Sequence, residues 1–116
     1  MLAPGGTLAV QMPRQEMAPS HVLMRDIAVR DFPGLFDFTG AQPQVAAPAV
    51  YTETLAPLGV LTPWETECQQ RLDPQPRGHP VRHFTASTAM RPLVETLSAE
   101  QAAAFITAYD GALDSA

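Results

Sequence analysis

Thr7-Leu8-Ala9-Val10-Gln11-Met12-Pro13 is the stretch whose reading decides the fold. Its apolar run ends at a proline, which has no backbone N–H to donate, so residues 7–12 read as a short buried strand. Such a run is typical of a parallel-sheet strand covered on both faces, and a strand of that kind needs neighbours. Ahead of it, Met1-Leu2-Ala3-Pro4-Gly5-Gly6 reads as a loop or a helix end, with Gly5-Gly6 suited to a helix stop.

Working outward, Ser20 after Pro19 is a good N-cap, and Leu23, Met24 and Ile27 predict a helix running through Arg30. Residues 31–47 form an irregular connection. Its three phenylalanines, Phe32, Phe36 and Phe38, imply packing against something apolar. A second helix is expected from Pro48 to Leu58, with Tyr51, Leu55 and Leu58 on one face and Gly59 as its stop. From Trp64 to Leu72 the residues alternate, with Trp64, Thr66 and Cys68 on one side, which predicts an edge strand over 64–72. Asp73 to Gly78 is a turn. A short helix follows from His79 or Pro80 to Thr88 and leads to Arg91-Pro92. The last helix is the clearest: Ser98 with Gln101 makes a capping box, and Ala102, Phe105, Ile106, Tyr109 and Leu113 form an apolar stripe. Two separated strands and four helices do not complete a sheet, so the expected architecture is α/β, a part of a larger domain.

Composition narrows the function. The 116 residues carry 12 acidic and 7 basic side chains, for a net charge of −5. That balance argues against nucleic acid, which wants a basic footprint, and against an anionic membrane surface. No apolar run reaches the length of a membrane span. All the basic residues are arginines, so a Schiff-base or phosphate-loop lysine is excluded within this sequence. The single cysteine, Cys68, has no partner for an internal disulfide, and no secretory leader is visible, so cytoplasmic residence is the expectation.

Catalytic motifs are nearly absent. There is no G-x-G-x-x-G, G-x-S-x-G or H-E-x-x-H, and Gly5-Gly6 precedes the strand, the wrong order for a phosphate cradle. His79 and His83 have the spacing of two ligands on one helical face, but Pro80 and the lack of a third ligand nearby argue against a metal site. No catalytic, cofactor-binding or metal-binding residue is therefore assigned.

Four segments, taken in order, carry a resemblance. They are Leu2 to Pro13; Pro19-Ser20-His21-Val22-Leu23-Met24-Arg25; Thr88-Ala89-Met90-Arg91-Pro92; and Leu97-Ser98-Ala99-Glu100 with Phe105 and Tyr109. In that combination, with Trp64-Glu65-Thr66 at a matching strand, the chain resembles the C-terminal half of the trans-aconitate 2-methyltransferase family. The resemblance implies a Rossmann-like fold and dependence on S-adenosylmethionine. It also implies that residues 1–116 are a partial domain, lacking the cofactor-binding N-terminal half and the final strand, with an incomplete sheet and covering helices. The expected strands over 7–12 and 64–72 would then each leave backbone groups unpaired, at about 1–3 kcal/mol per buried orphan. Departures fall at Cys68-Gln69-Gln70, Phe84-Thr85 and Ala89, and bear on the substrate more than on the reaction class.

The implied reaction esterifies a carboxylate of a small tricarboxylic acid. A carboxylate with a pKa near ~4 is already ionised at neutral pH, so no general base is needed. The acid's other carboxylates need cationic partners, a task suited to the arginine fork. Arg91, between two helices and followed by Pro92, is the first candidate for substrate binding; the alternative is a local pair with an acid such as Glu95. Arg25 and His21 could form part of a lid, or simply a solvated helical face. Tyr51 and Trp64 could line a pocket wall, or pack in a core. The alternatives for the whole chain are a methyltransferase acting on another small acid, or a non-catalytic remnant that associates with a partner. The chain alone is expected to be inactive.

Overall fold

The computed structural model describes residues 2–116. Five helices are formed: α1 (Pro19–Asp31), α2 (Pro48–Leu55), α3 (Pro80–Ala86), α4 (Arg91–Thr96) and α5 (Ala99–Ser115), with a 3₁₀ turn over Ala56–Leu58 after α2. Four of the five begin with a proline in their first turn, where its fixed φ is already helical and its missing N–H would have no partner anyway.

One core holds the lobe made by α1, α3, α4 and α5. Met24, Ile27 and Ala28 face inward from α1, Leu93 from α4, and Phe105 and Tyr109 from α5, with Met90 and Leu97 at the ends of α4. Phe105 lies 6.2 Å from Tyr109 and 6.4 Å from Phe32, ring centre to ring centre. The loop phenylalanines Phe32, Phe36 and Phe38 pack on this core, as their density in the sequence implied. The polar groups are served as well. The Tyr109 hydroxyl donates to the Ser20 carbonyl at 3.2 Å, and the Thr85 hydroxyl donates back to the Val81 carbonyl at 3.0 Å. The α5 capping box is present in both directions: Gln101 N–H donates to Ser98 Oγ, and Ser98 N–H to Gln101 Oε1.

Elsewhere the structure departs from the sequence expectations. Residues 7–12 and 64–72 form no strand, and among the described residues only an isolated bridge between Pro33 and Phe36 has β-type pairing. The expected incomplete sheet is therefore not formed. The physical reason is non-local: a ladder needs a partner strand, and neither segment finds one. Consequently Met12, in the segment expected to be a buried strand, is exposed, and so is Cys68, in the expected edge strand. α1 starts one residue before the expected Ser20, because Pro19 takes the first helical position and Ala18 becomes the N-cap. α2 stops at Leu55 since Pro57 cannot donate into the next turn, and Leu55 and Leu58 are exposed rather than buried. α3 ends at Ala86, not Thr88. α4 was not expected at all; there Pro92 opens a helix instead of breaking one.

Size measures the consequence. The radius of gyration is 18.3 Å, against about 13 Å for a compact domain of this length. The accessible surface is 9139 Å², about half as much again as the ~6,200 Å² usual for a folded monomer of this mass.

Candidate functional site

Beyond Met12 the chain assembles a polar cluster between the start of α1 and the approach to α2. Glu16 is its hub. Its carbonyl accepts from Arg25 Nη2 on α1, and its carboxylate Oε1 accepts from the Val45 N–H at 3.2 Å, tying the start of α1 to the approach to α2. Next door, the Tyr51 hydroxyl accepts from the Ala46 N–H at 3.3 Å and reaches Met12 Sδ at 3.9 Å. Arg14 Nε donates to Glu65 Oε1 at 2.6 Å and draws the chain beside Trp64 into the same neighbourhood.

The cluster sets two guanidinium groups, Arg14 and Arg25, against two carboxylates, Glu16 and Glu65. Hydrogen bonds from its own N–H and from those of Val45 and Gln44 hold the Glu16 carboxyl below the usual carboxylate range, with Arg14 adding to the effect. The Glu65 carboxylate raises the Arg14 guanidinium further. Burial pushes the His21 imidazole below its ordinary value, and the Arg25 guanidinium one helical turn away pushes it the same way; Glu16 opposes both. Both effects favour the neutral imidazole, whose Nδ1 lies 3.2 Å from Ser20 Oγ. On α1 beside Arg25, an open groove of about 440 Å³ runs past Asp26, Val29 and Arg30 to Asp37, Phe38 and Thr39.

Two of the five sequence candidates, Arg25 and Tyr51, are thus joined through Glu16 and the 45–46 backbone, while the His21 ring, among the described residues, bonds only to its neighbour Ser20; all three are half-buried. Trp64 is reached only through the Arg14–Glu65 pair, and it is 78 % exposed, so it walls no pocket here. Arg91 stands apart on α4, where its Nε donates to Glu95 Oε1 at 2.7 Å across one exposed helical turn. Glu16, Arg14 and Glu65 were missed by sequence reading. Their contacts span 9 to 51 residues and leave no periodic signal.

A second polar junction braces the helical lobe. Asp110 Oδ1 on α5 accepts from Arg82 Nε on α3 at 2.9 Å and from the His79 N–H at 2.9 Å, so one carboxylate both pairs the arginine and caps α3. Gly78 is required here: its φ is +73°, and a Cβ would sit 1.8 Å from Arg82 Nη2. His79 Nδ1 accepts from the Val81 N–H, and His83 Nε2 lies against the Arg77 carbonyl, so the two imidazoles serve the fold separately.

Comparison with known proteins gives a consistent result. The chain is 39% identical over 115 residues to a trans-aconitate 2-methyltransferase from Streptomyces avermitilis, a match covering 97% of this chain and 42% of that protein. It is 33% identical over 120 residues to the one from Paracidovorax citrulli, covering 99% and 44%. With the one from Azoarcus sp. it shares 34% over 118 residues, again 99% and 44%. The chain therefore spans less than half the length of these curated relatives. No family model matches, and no solved structure does. The resemblance carried by the four segments extends along nearly the whole sequence.

Proposed function

We propose, on the premise that the chain is a relative of the trans-aconitate 2-methyltransferases, that it forms part of a Rossmann-like, S-adenosylmethionine-dependent O-methyltransferase. That enzyme esterifies one carboxylate of a small tricarboxylic acid such as trans-aconitate. The single observation that carries the reading is a similarity covering 97–99% of the chain in three relatives of the same name.

S-adenosylmethionine supplies the methyl group in this class of reaction. Among the described residues no glycine-rich turn joins a strand to a helix, so the residues here do not fit the cofactor and none is assigned to it. Their part concerns the acceptor. A carboxylate is ionised at neutral pH and needs no base, which leaves positioning and desolvation as the work to be done. Arg25 is the foremost anchor for a substrate carboxylate, since its bond to the Glu16 carbonyl fixes the guanidinium plane beside a groove. The His21 imidazole and the Tyr51 hydroxyl are suited to orienting the remaining oxygens. Arg91 is a secondary anchor that would have to leave Glu95, and Trp64 contributes an apolar wall only once covered.

A second reading, methylation of a different small acid, is favoured by Cys68-Gln69-Gln70, whose segment lies next to the Arg14–Glu65 pair. The test is a chimera in which this chain replaces the matching part of the Streptomyces avermitilis relative. Products are read by mass spectrometry with trans-aconitate and other small acids. A monomethyl ester of trans-aconitate is expected; an ester of another acid alone supports the second reading, and a folded chimera that methylates none of them contradicts both. In the active chimera, Arg25→Ala should raise the KM for the acid at least about 10-fold, as for loss of a charged hydrogen bond. Cofactor affinity should be unchanged.

A further inference from the structure

Glu16 lies in the linker before α1, half-buried, beside the arginine best placed to hold a substrate carboxylate. Like charges repel, so an acid in that place weakens an anion's binding unless it does something else for it. Its bonds show what that is. The side chain folds back on its own N–H and accepts from the Val45 N–H at 3.2 Å. With the carboxylate held at both points, residue 16 has a fixed orientation, and its carbonyl is directed at Arg25 Nη2.

The same contact sets the shape of the groove. One wall is α1 around Arg25 and Val29, and the other is the loop from Asp37 to Thr39. The loop's near end is held by Phe36 and Phe38, whose rings stack 6.3 Å apart and pack on the core. Its far end, short of α2, is tied to the start of α1 where Val45 donates to Glu16. One acid thus fixes both the anchor and the wall that faces it.

We infer that Glu16 is a positioning residue for recognition of the acid substrate: its carboxylate clamps Val45, its carbonyl aims Arg25, and it does not itself touch the acid. The inference rests on the methyltransferase reading. Holding an anchor in its bound geometry strengthens binding by cutting the cost of ordering it, with no added contact.

The test uses the active chimera with the Streptomyces avermitilis relative and the acid that it esterifies. Glu16→Ala should raise the KM for that acid about 5-fold or more, with kcat changed less than about 2-fold and cofactor affinity unchanged. Glu16→Gln keeps an acceptor oxygen and should recover most of the loss. Glu16→Ala combined with Arg25→Ala should be no worse than Arg25→Ala alone, since Glu16 acts through the arginine. Hydrogen exchange on the 116-residue chain reads the clamp without activity. The Val45 amide should exchange about 10-fold faster in Glu16→Ala but not in Glu16→Gln, with α1 and α5 unaffected.

An unchanged KM in Glu16→Ala overturns the inference, as do additive effects of the two substitutions, equal losses in the Ala and Gln variants, or a Val45 amide indifferent to both. Each of those outcomes leaves the parent chimera active and the methyltransferase reading intact. A folded parent chimera that esterifies no acid contradicts that reading, and the positioning role falls with it even where the Val45 amide responds as expected.

Discussion

The helical lobe and the two unpaired segments come from the same chain and similar residue types, yet only the lobe buries its apolar side chains. Phe105 and Tyr109 are fully buried, while Trp64 and Leu8 are largely exposed and Val60 is as exposed as in an extended peptide. The difference lies in where the partners are. α5 carries its own hydrogen bonds and cap and needs only α1 and α3 to lay its stripe against. A strand satisfies its backbone only through another strand. A run such as Leu8-Ala9-Val10 therefore keeps its pattern without its structure until an edge is supplied.

The comparison breaks most sharply at Phe105. Phe105→Ala should cost the lobe about 3–5 kcal/mol, enough to abolish its cooperative unfolding transition, whereas Trp64→Ala should change stability by less than about 0.5 kcal/mol. Urea titrations followed by circular dichroism measure both, and a large loss at Trp64 would show a hidden core around it. Next comes the α3–α5 brace. Asp110→Ala leaves Arg82 and the His79 N–H without their shared acceptor in a half-buried place, and should cost about 1–3 kcal/mol. Ser98→Ala removes one side of the α5 capping box and should cost about 1 kcal/mol. The smallest effect belongs to the polar cluster. His21 has a lowered pKa when folded, so the unfolded chain binds its proton more readily and stability falls as pH drops through and below the ordinary imidazole range. His21→Gln should flatten that part of the stability–pH curve; an unchanged slope would mean His21 is not the group responsible.

Legibility in the sequence followed the range of the interactions. The α5 stripe, its Ser98–Gln101 cap and the packing of the loop phenylalanines were readable because periodicity, spacing and local composition encode them. The break in α2 at Pro57 and the helix begun by Pro92 were readable in principle, but proline marks helix starts and stops alike. The strand expectations over 7–12 and 64–72 rested on local patterning alone, and such a pattern becomes a ladder only where a partner strand pairs with it, so neither formed. At the candidate site, Arg25 and His21 were singled out on a segment that carries the resemblance, and Tyr51 as a possible pocket wall. Glu16, which ties Arg25 to the 45–46 backbone beside Tyr51, was invisible because a loop acid gains a role only when Val45 folds back onto it.

Amide hydrogen exchange on the isolated chain is the most direct measurement. The lobe should hold slow amides in the middle of α1 and α5, while residues 7–14 and 59–78 exchange at the rate of an unstructured peptide. Slow exchange along 7–12 would show that this segment has found a strand partner, and would contradict the division of the molecule into a packed helical lobe and segments without strand pairing.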